Sequence, residues 1–259
     1  MLSKKCVSIA AIACIALALF ILNCNADSYF QDFETSPEEW TTNNPSRFFW
    51  SGNPDYDYHV ERETESGYYA YAPVTYEAGN SLAFSFDISI ASMEFPGAAE
   101  LALMDSDMEK GISNQVKALF GRDDGGKMMM LYYRGRDDNS VYRKAYYDWE
   151  YSTWYHNRVV FTPDFGECSF TITAGKGFGG TEVASITLDG ITASEFLADA
   201  DYRLAVSDIG DWSHSSSTAI YALDNVAYSS PVPEPATALF LATGLAAVGG
   251  FIHRRRKQV

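Results

Sequence analysis

The sequence has few of the features that usually declare a function. It contains four cysteines in 259 residues, and three of them, Cys6, Cys14 and Cys24, fall within the first 24 positions. Cys168 stands alone in the remainder, so no intramolecular disulfide can brace it and the core has to hold itself. Positive charge is also scarce: 19 Lys and Arg face 34 Asp and Glu, for a net charge of −15. That balance excludes nucleic acid as a partner, because affinity for a phosphate backbone comes mainly from Lys and Arg. His59, His156, His214 and His253 are scattered without metal-ligand spacing. There is no His-Glu-x-x-His motif and no Gly-x-Ser-x-Gly elbow. Helical periodicity is nearly absent, with a turn or two expected at 192–197. What the chain has in quantity is aromatic side chains, 15% of all residues, which excludes a disordered acidic tail.

Two long apolar runs occur, one at each end. Lys4 and Lys5 precede an uncharged apolar stretch at 6–22, followed by Asn23-Cys24-Asn25-Ala26 with small residues at 24 and 26. This pattern is that of a secretory signal peptide, which signal peptidase would remove after Ala26. At the other end Pro233-Glu234-Pro235 leads into the apolar run 236–252 and then His253-Arg254-Arg255-Arg256-Lys257. That run is at the lower length limit for a transmembrane helix, and the basic end would stay cytoplasmic.

The tripeptide, the apolar run and the Arg cluster, in that order, resemble the PEP-CTERM sorting signal. Exosortases, membrane proteases of exopolysaccharide-producing Gram-negative bacteria, read that signal. The resemblance implies transient membrane anchoring and a cut near Pro233, Glu234 and Pro235, with Arg254, Arg255 and Arg256 as the basic anchor. The remainder is then exported across the inner membrane to the cell surface or extracellular matrix. The expected organisation is a signal peptide at 1–26, one folded domain at 27–229 and the sorting signal at 230–259. Residues 27–234 keep 13 of the 19 basic residues and all 34 acidic ones, a net −21 that would attract cations.

The middle reads as antiparallel β-structure. Leu82, Phe84, Phe86, Ile88 and Ile90 alternate with Ala83, Ser85, Asp87 and Ser89, which is the period of a half-buried strand. Cys168, Phe170 and Ile172 repeat the pattern against Ser169, Thr171 and Thr173, and 183–188 does so again. Further strand-like runs occur at 47–50, 68–71, 127–133, 154–161, 202–206 and 219–228, separated by Asp/Gly turn clusters at 123–126, 137–139, 164–166 and 175–180. Many short strands with regular turns predict an all-β sandwich in one domain. Three local patterns resemble the concanavalin A-like, laminin-G-like jelly rolls: Ser152-Thr153-Trp154-Tyr155-His156 opening a strand, Leu223-Asp224-Asn225-Val226 in the last strand, and Leu103-Met104-Asp105 ending a central one. The resemblance implies a glycan-binding fold that in some members cleaves glycans and in many holds calcium; fold alone does not choose among these.

Two nucleotide motifs fail on context. Gly175-Lys176-Gly177-Phe178-Gly179-Gly180 is followed by a strand, where a dinucleotide site needs a helix N-terminus. Gly121 to Lys127 begins like a P-loop, but Met128 stands where a magnesium-holding hydroxyl belongs. Asp105, Asp107 and Glu109 begin like an EF-hand loop, yet Val116 occupies its closing Glu position. The jelly-roll resemblance instead implies a calcium site on Asp224 with Asp208 or Asp211. The competing account is that Asp224-Asn225 bulges or ends the last strand. No glycosidase strand signature of the Glu-x-Asp-x-x-Glu type is present.

Aromatics are the remaining signal, since sugar rings stack on exposed Trp and Tyr faces while polar neighbours take the hydroxyls. Trp50 and Trp149, beside polar turns and with Arg134 and Asp148 near Trp149 in sequence, are the stacking candidates; Trp154 is expected in the core. The sequence thus predicts a non-catalytic module that binds an extracellular polysaccharide. Its alternatives are a structural surface protein with buried aromatics, and a glycoside hydrolase or polysaccharide lyase with two carboxylates facing across a groove.

Overall fold

A computed structural model describes residues 27–53, 56–62, 68–76, 80–94, 97–105, 115–134, 140–162, 166–189, 200–207 and 219–230. The signal peptide, the sorting signal with Pro233, Glu234, Pro235, Arg254, Arg255 and Arg256, the turn at 192–197, and Asp208 and Asp211 lie outside the described residues. Among the described residues there is no helix, and so none long and apolar enough to cross a membrane.

In chain order the first strands are β1 (Asp27–Gln31), β2 (Thr41–Thr42), β3 (Phe48–Asn53), β4 (Tyr56–Arg62), β5 (Tyr69–Tyr76), β6 (Leu82–Met93), β7 (Gly97–Asp105) and β8 (Gln115–Asp123). They continue as β9 (Gly126–Arg134), β10 (Ser140–Tyr146), β11 (Trp154–Thr162), β12 (Glu167–Ala174), β13 (Glu182–Asp189), β14 (Ala200–Ser207) and β15 (Ala219–Ser230). An eight-stranded sheet runs β13-β12-β11-β6-β15-β4-β3, with β1 also paired to β15. A seven-stranded sheet runs β10-β9-β8-β7-β14-β5-β2. Neighbours are antiparallel, and the non-sequential order marks the crossing connections of a jelly roll.

Period-two patterning decides which face meets which. Phe84, Phe86 and Ile88 of β6 pair across to Val159, Asn157 and Tyr155 of β11, and all are buried toward the second sheet. From there Leu101, Val116, Phe120, Met129, Leu131 and Leu204 complete one continuous core. Each such side chain contributes about 1.5–3 kcal/mol by leaving water. Two tyrosines also join the layers through hydrogen bonds: Tyr221 Oη donates to the Glu100 carbonyl at 3.0 Å, and Tyr228 Oη to the Thr75 carbonyl at 2.9 Å. Cys168 is fully buried in this core, and burial pushes its thiol pKa up.

The two Gly-rich motifs are hairpin turns. Gly126, with φ of 121°, opens β9 directly after the Asp124-Gly125 turn, so no helix N-terminus exists there for a phosphate. Asp123 caps that turn, accepting the Gly125 amide at 2.8 Å and pairing with Lys144 at 2.6 Å. The Lys144 contact chiefly holds the Asp123 carboxyl below its ordinary range. Gly175 to Gly180 likewise joins β12 to β13, closed at its base by Ala174 N–H to the Thr181 carbonyl at 3.0 Å.

On β4, His59 stacks on the Phe49 ring of β3 at 4.6 Å between centroids. Burial is the main cause that lowers its pKa below 6.5, against an opposing pull from Glu61. The unfolded chain therefore takes up the proton first, and stability falls as pH falls through and below the ordinary histidine range. Urea unfolding followed from about pH 7 to about pH 5 should show this loss, and His59→Phe, which keeps the stack, should have a measurably flatter profile over the same interval.

Candidate functional site

The outward face of the eight-stranded sheet carries a buried polar row. Cross-strand register aligns Asp224 of β15, Asp87 of β6, His156 of β11 and Thr173 of β12 in one row. Asp87 is fully buried, so its charge has to be met by donors. It is: His156 Nδ1 lies 2.6 Å from Oδ1, while the Gly177 amide and Asn225 Nδ2 donate to Oδ2 at 2.9 and 2.8 Å. An ionised carboxylate only accepts, so His156 Nδ1 is the donor of this pair, and Nε2 is buried without a hydrogen-bond partner among the described residues.

Asp224 is buried beside it. Its Oδ2 pairs with Lys176 Nζ at 2.8 Å and accepts Asn225 Nδ2 at 3.0 Å. Asn225 reaches both carboxylates because β15 bulges between Asp224 and Ala227, with Asn225 at φ 47° in the left-handed region that Asn tolerates. The bulge account of Asp224-Asn225 therefore holds. The Asp224 carboxylate is met by the Lys176 ammonium, and no cluster of three or more metal-ligand side chains occurs among the described residues, outside which Asp208 and Asp211, the other members of the expected calcium site, lie.

The hairpin from Gly175 to Gly180 covers this row. Lys176 lies 4.0 Å from the centroid of Trp154, and Phe178, 75% exposed, sits edge-on to His156 at 4.4 Å. A second row runs alongside: Phe49, His59, Ala222, Ser89 and Trp154, from β3 to β11. Two short side chains between aromatic groups make a shallow trough, about 14 Å from His59 to Trp154 across three strand spacings.

The tryptophans fall differently from their sequence assignment. Trp149 is no stacking candidate: it is fully buried, edge-on to Phe120 at 6.2 Å and to Tyr151 at 5.1 Å. Trp50 is half-buried, and its indole N–H donates to the Phe33 carbonyl at 2.7 Å. Asp148 is exposed and lies 3.6 Å from Lys127, while Arg134 closes β9 with its side chain outside the description. Trp154, expected in the core, is half-buried on the outer face. Its register was available in the sequence: Val159 and Phe161 face inward, so Trp154, His156 and Arg158 face out.

Asp87 and Asp224 are neighbouring carboxylates, but both are buried and bound to the same Asn225 amide. They are not the open pair that glycoside hydrolysis requires.

No family model matches the chain, and no curated protein does so by sequence. Solved structures do match in shape. Basic winged bean lectin, solved with Tn-antigen, aligns with a TM-score of 0.55 at 12% identity over 81% of this chain and all of that one. The Lotus tetragonolobus seed lectin gives 0.54 at 9% identity, over 80% of this chain and 100% of its own. Winged bean acidic lectin, complexed with methyl-alpha-D-galactose, gives 0.53 at 11%, over 81% and 100%. At these identities the likeness shows the fold, an antiparallel concanavalin A-like sandwich of the legume-lectin type.

Stability measurements separate the core tryptophan from the surface one. Trp149→Ala should cost about 3–5 kcal/mol, as for a large core deletion. Trp154→Ala should cost about 1 kcal/mol or less, since its outer face contributes little beyond the Lys176 contact. Urea midpoints of the two variants check the contrast.

Proposed function

We propose that this chain is an exported, exosortase-processed protein of a Gram-negative cell surface or extracellular matrix, where it binds a glycan without cleaving it. The observation that carries the binding reading is the trough on the outer face of the eight-stranded sheet. It combines Trp154 and the Phe49–His59 stack with a floor of Ala222 and Ser89, bordered by Lys176 and Asn225. Flat apolar rings beside hydrogen-bonding groups suit the alternating faces of a sugar. The sugars carried by the two winged bean lectins, methyl-alpha-D-galactose and Tn-antigen, agree in class. Export and sorting rest on the sequence of the two ends. Signal peptidase would act after Ala26, and exosortase near Pro233-Glu234-Pro235 once the segment before Arg254, Arg255 and Arg256 has entered the membrane. Calcium enters this reading as an ion held by Asp224 with Asp208 or Asp211.

One observation favours the structural alternative. Trp40, Trp149, Tyr58, Tyr202 and Tyr221 are all buried, so much of the aromatic content serves packing.

A polysaccharide array that includes the producer's own exopolysaccharide tests the binding reading. Saturable binding, weakened about tenfold or more by Trp154→Ala, is expected. Absence of binding across the array would leave the structural role. Sorting is checked separately: in an exosortase-bearing host, replacing Pro233, Glu234 and Pro235 by Ala should leave an unprocessed chain in the membrane fraction. Processing as in wild type would overturn it.

A further inference from the structure

We infer that a second trough on the outward face of the eight-stranded sheet, ending at Arg158, receives the carboxylate of an acidic sugar, so that the glycan bound by this chain is of the uronate type. This deepens the glycan-binding reading and rests on it.

The trough follows from register. Phe30 of β1, Ala227 of β15, Ser85 of β6 and Arg158 of β11 stand in one row, which Thr171 of β12 and Ser185 of β13 continue. Their chain neighbours Val226, Phe84, Val159 and Phe170 lie in the core, so the row faces outward. This row and the one from His59 to Trp154 flank the Asp87 row on either side. Both have short side chains from β15 and β6 as their floor, here Ala227 and Ser85. From Phe30 to Arg158 is about 14 Å, three strand spacings.

Arg158 is a cation that the fold leaves unused. It is exposed, and among the described residues it makes no ion pair, hydrogen bond or ring contact, in a chain with 34 acidic residues. Its surroundings give the reason. Ser85 and Thr171 lie across from it, and His156 and Val160 stand two residues away along β11. The carboxylate diagonal to it, Asp87, is already met by His156, Asn225 and the Gly177 amide. A guanidinium is a planar fork of N–H donors that matches a carboxylate through two parallel hydrogen bonds. With no acid of its own chain on that fork, Arg158 is open to one from outside.

The rest of the row suits a sugar that brings the carboxylate. Phe30, 62% exposed, offers an apolar ring face at the far end. Ala227 and Ser85 are too short to block an extended chain between the two ends. Thr171 and Ser185 add hydroxyls beyond Arg158. The net charge of −15 opposes an anionic polymer at long range, but such repulsion is screened beyond about 8 Å at physiological ionic strength. The contact at Arg158 then decides the ligand.

The test titrates the full chain by calorimetry, at physiological ionic strength, with an oligogalacturonate. Its fully methyl-esterified counterpart, which keeps the rings and loses the charge, and a sulfated neutral oligosaccharide serve as comparators. Wild type should bind the acid about tenfold or more tighter than either comparator. Arg158→Gln should abolish that preference with the urea midpoint unchanged, because the side chain is exposed. Arg158→Lys, a point charge without the fork, should recover part of it. Arg143→Gln, which removes an exposed cation from β10 of the other sheet, should leave it intact. Equal binding of acid and ester, a preference that survives in Arg158→Gln, an equal loss in Arg143→Gln, or a sulfated probe bound as tightly as the acid overturns the carboxylate inference alone. So does silence from all three probes while the glycan array shows binding. Silence from all three together with an empty array overturns the glycan reading as well.

Discussion

A carboxylate at the centre of an eight-stranded sheet cannot be left without donors, and much of the local structure on that face follows from Asp87. Its side chain is fully buried, and ionised in such a place it would cost several kcal/mol were it not hydrogen-bonded. Three elements distant in sequence supply what it needs: His156 from β11, Asn225 from the bulge of β15, and the Gly177 amide from the β12–β13 hairpin. The bulge, the left-handed Asn225 and the inward fold of the Gly-rich hairpin all serve one charge. The hydrophobic core beneath holds the sheets together, while this polar row fixes how their outer face is dressed.

Much of the architecture was legible in the sequence, because β6 over 82–90 and β12 alternate with a period of two. The same rule was harder to apply to β8 and β10. In β8, Gln115 and Lys117 are as buried as their apolar neighbours, Lys117 because it pairs with Glu100 at 3.3 Å, so no polar face advertises the strand. In β10 the residues are polar or half-exposed, since an edge strand buries little. The candidate site was less legible. Neighbouring polar residues drew attention to Trp149, although burial depends on strand parity and on what packs above. Asp224, Asp87, His156 and Lys176 are brought together only by cross-strand register, which no local motif records.

The fold and the site make separate claims. Likeness to plant lectins at 9–12% identity speaks for the packing of two sheets and not for any particular loop. The arrangement on the outer face of the eight-stranded sheet is argued from this chain's own residues. It holds a paired charge, Lys176 with Asp224, over the indole of Trp154.

The pairing of the first and last strands has a consequence for topology. Asp27 at the start of β1 lies opposite Ser230 at the end of β15, about 5 Å away across one antiparallel ladder. Whatever precedes the one and follows the other leaves the domain side by side, from the same corner. The described domain thus begins and ends at one corner of the eight-stranded sheet, where a single ladder closes both ends of the sandwich.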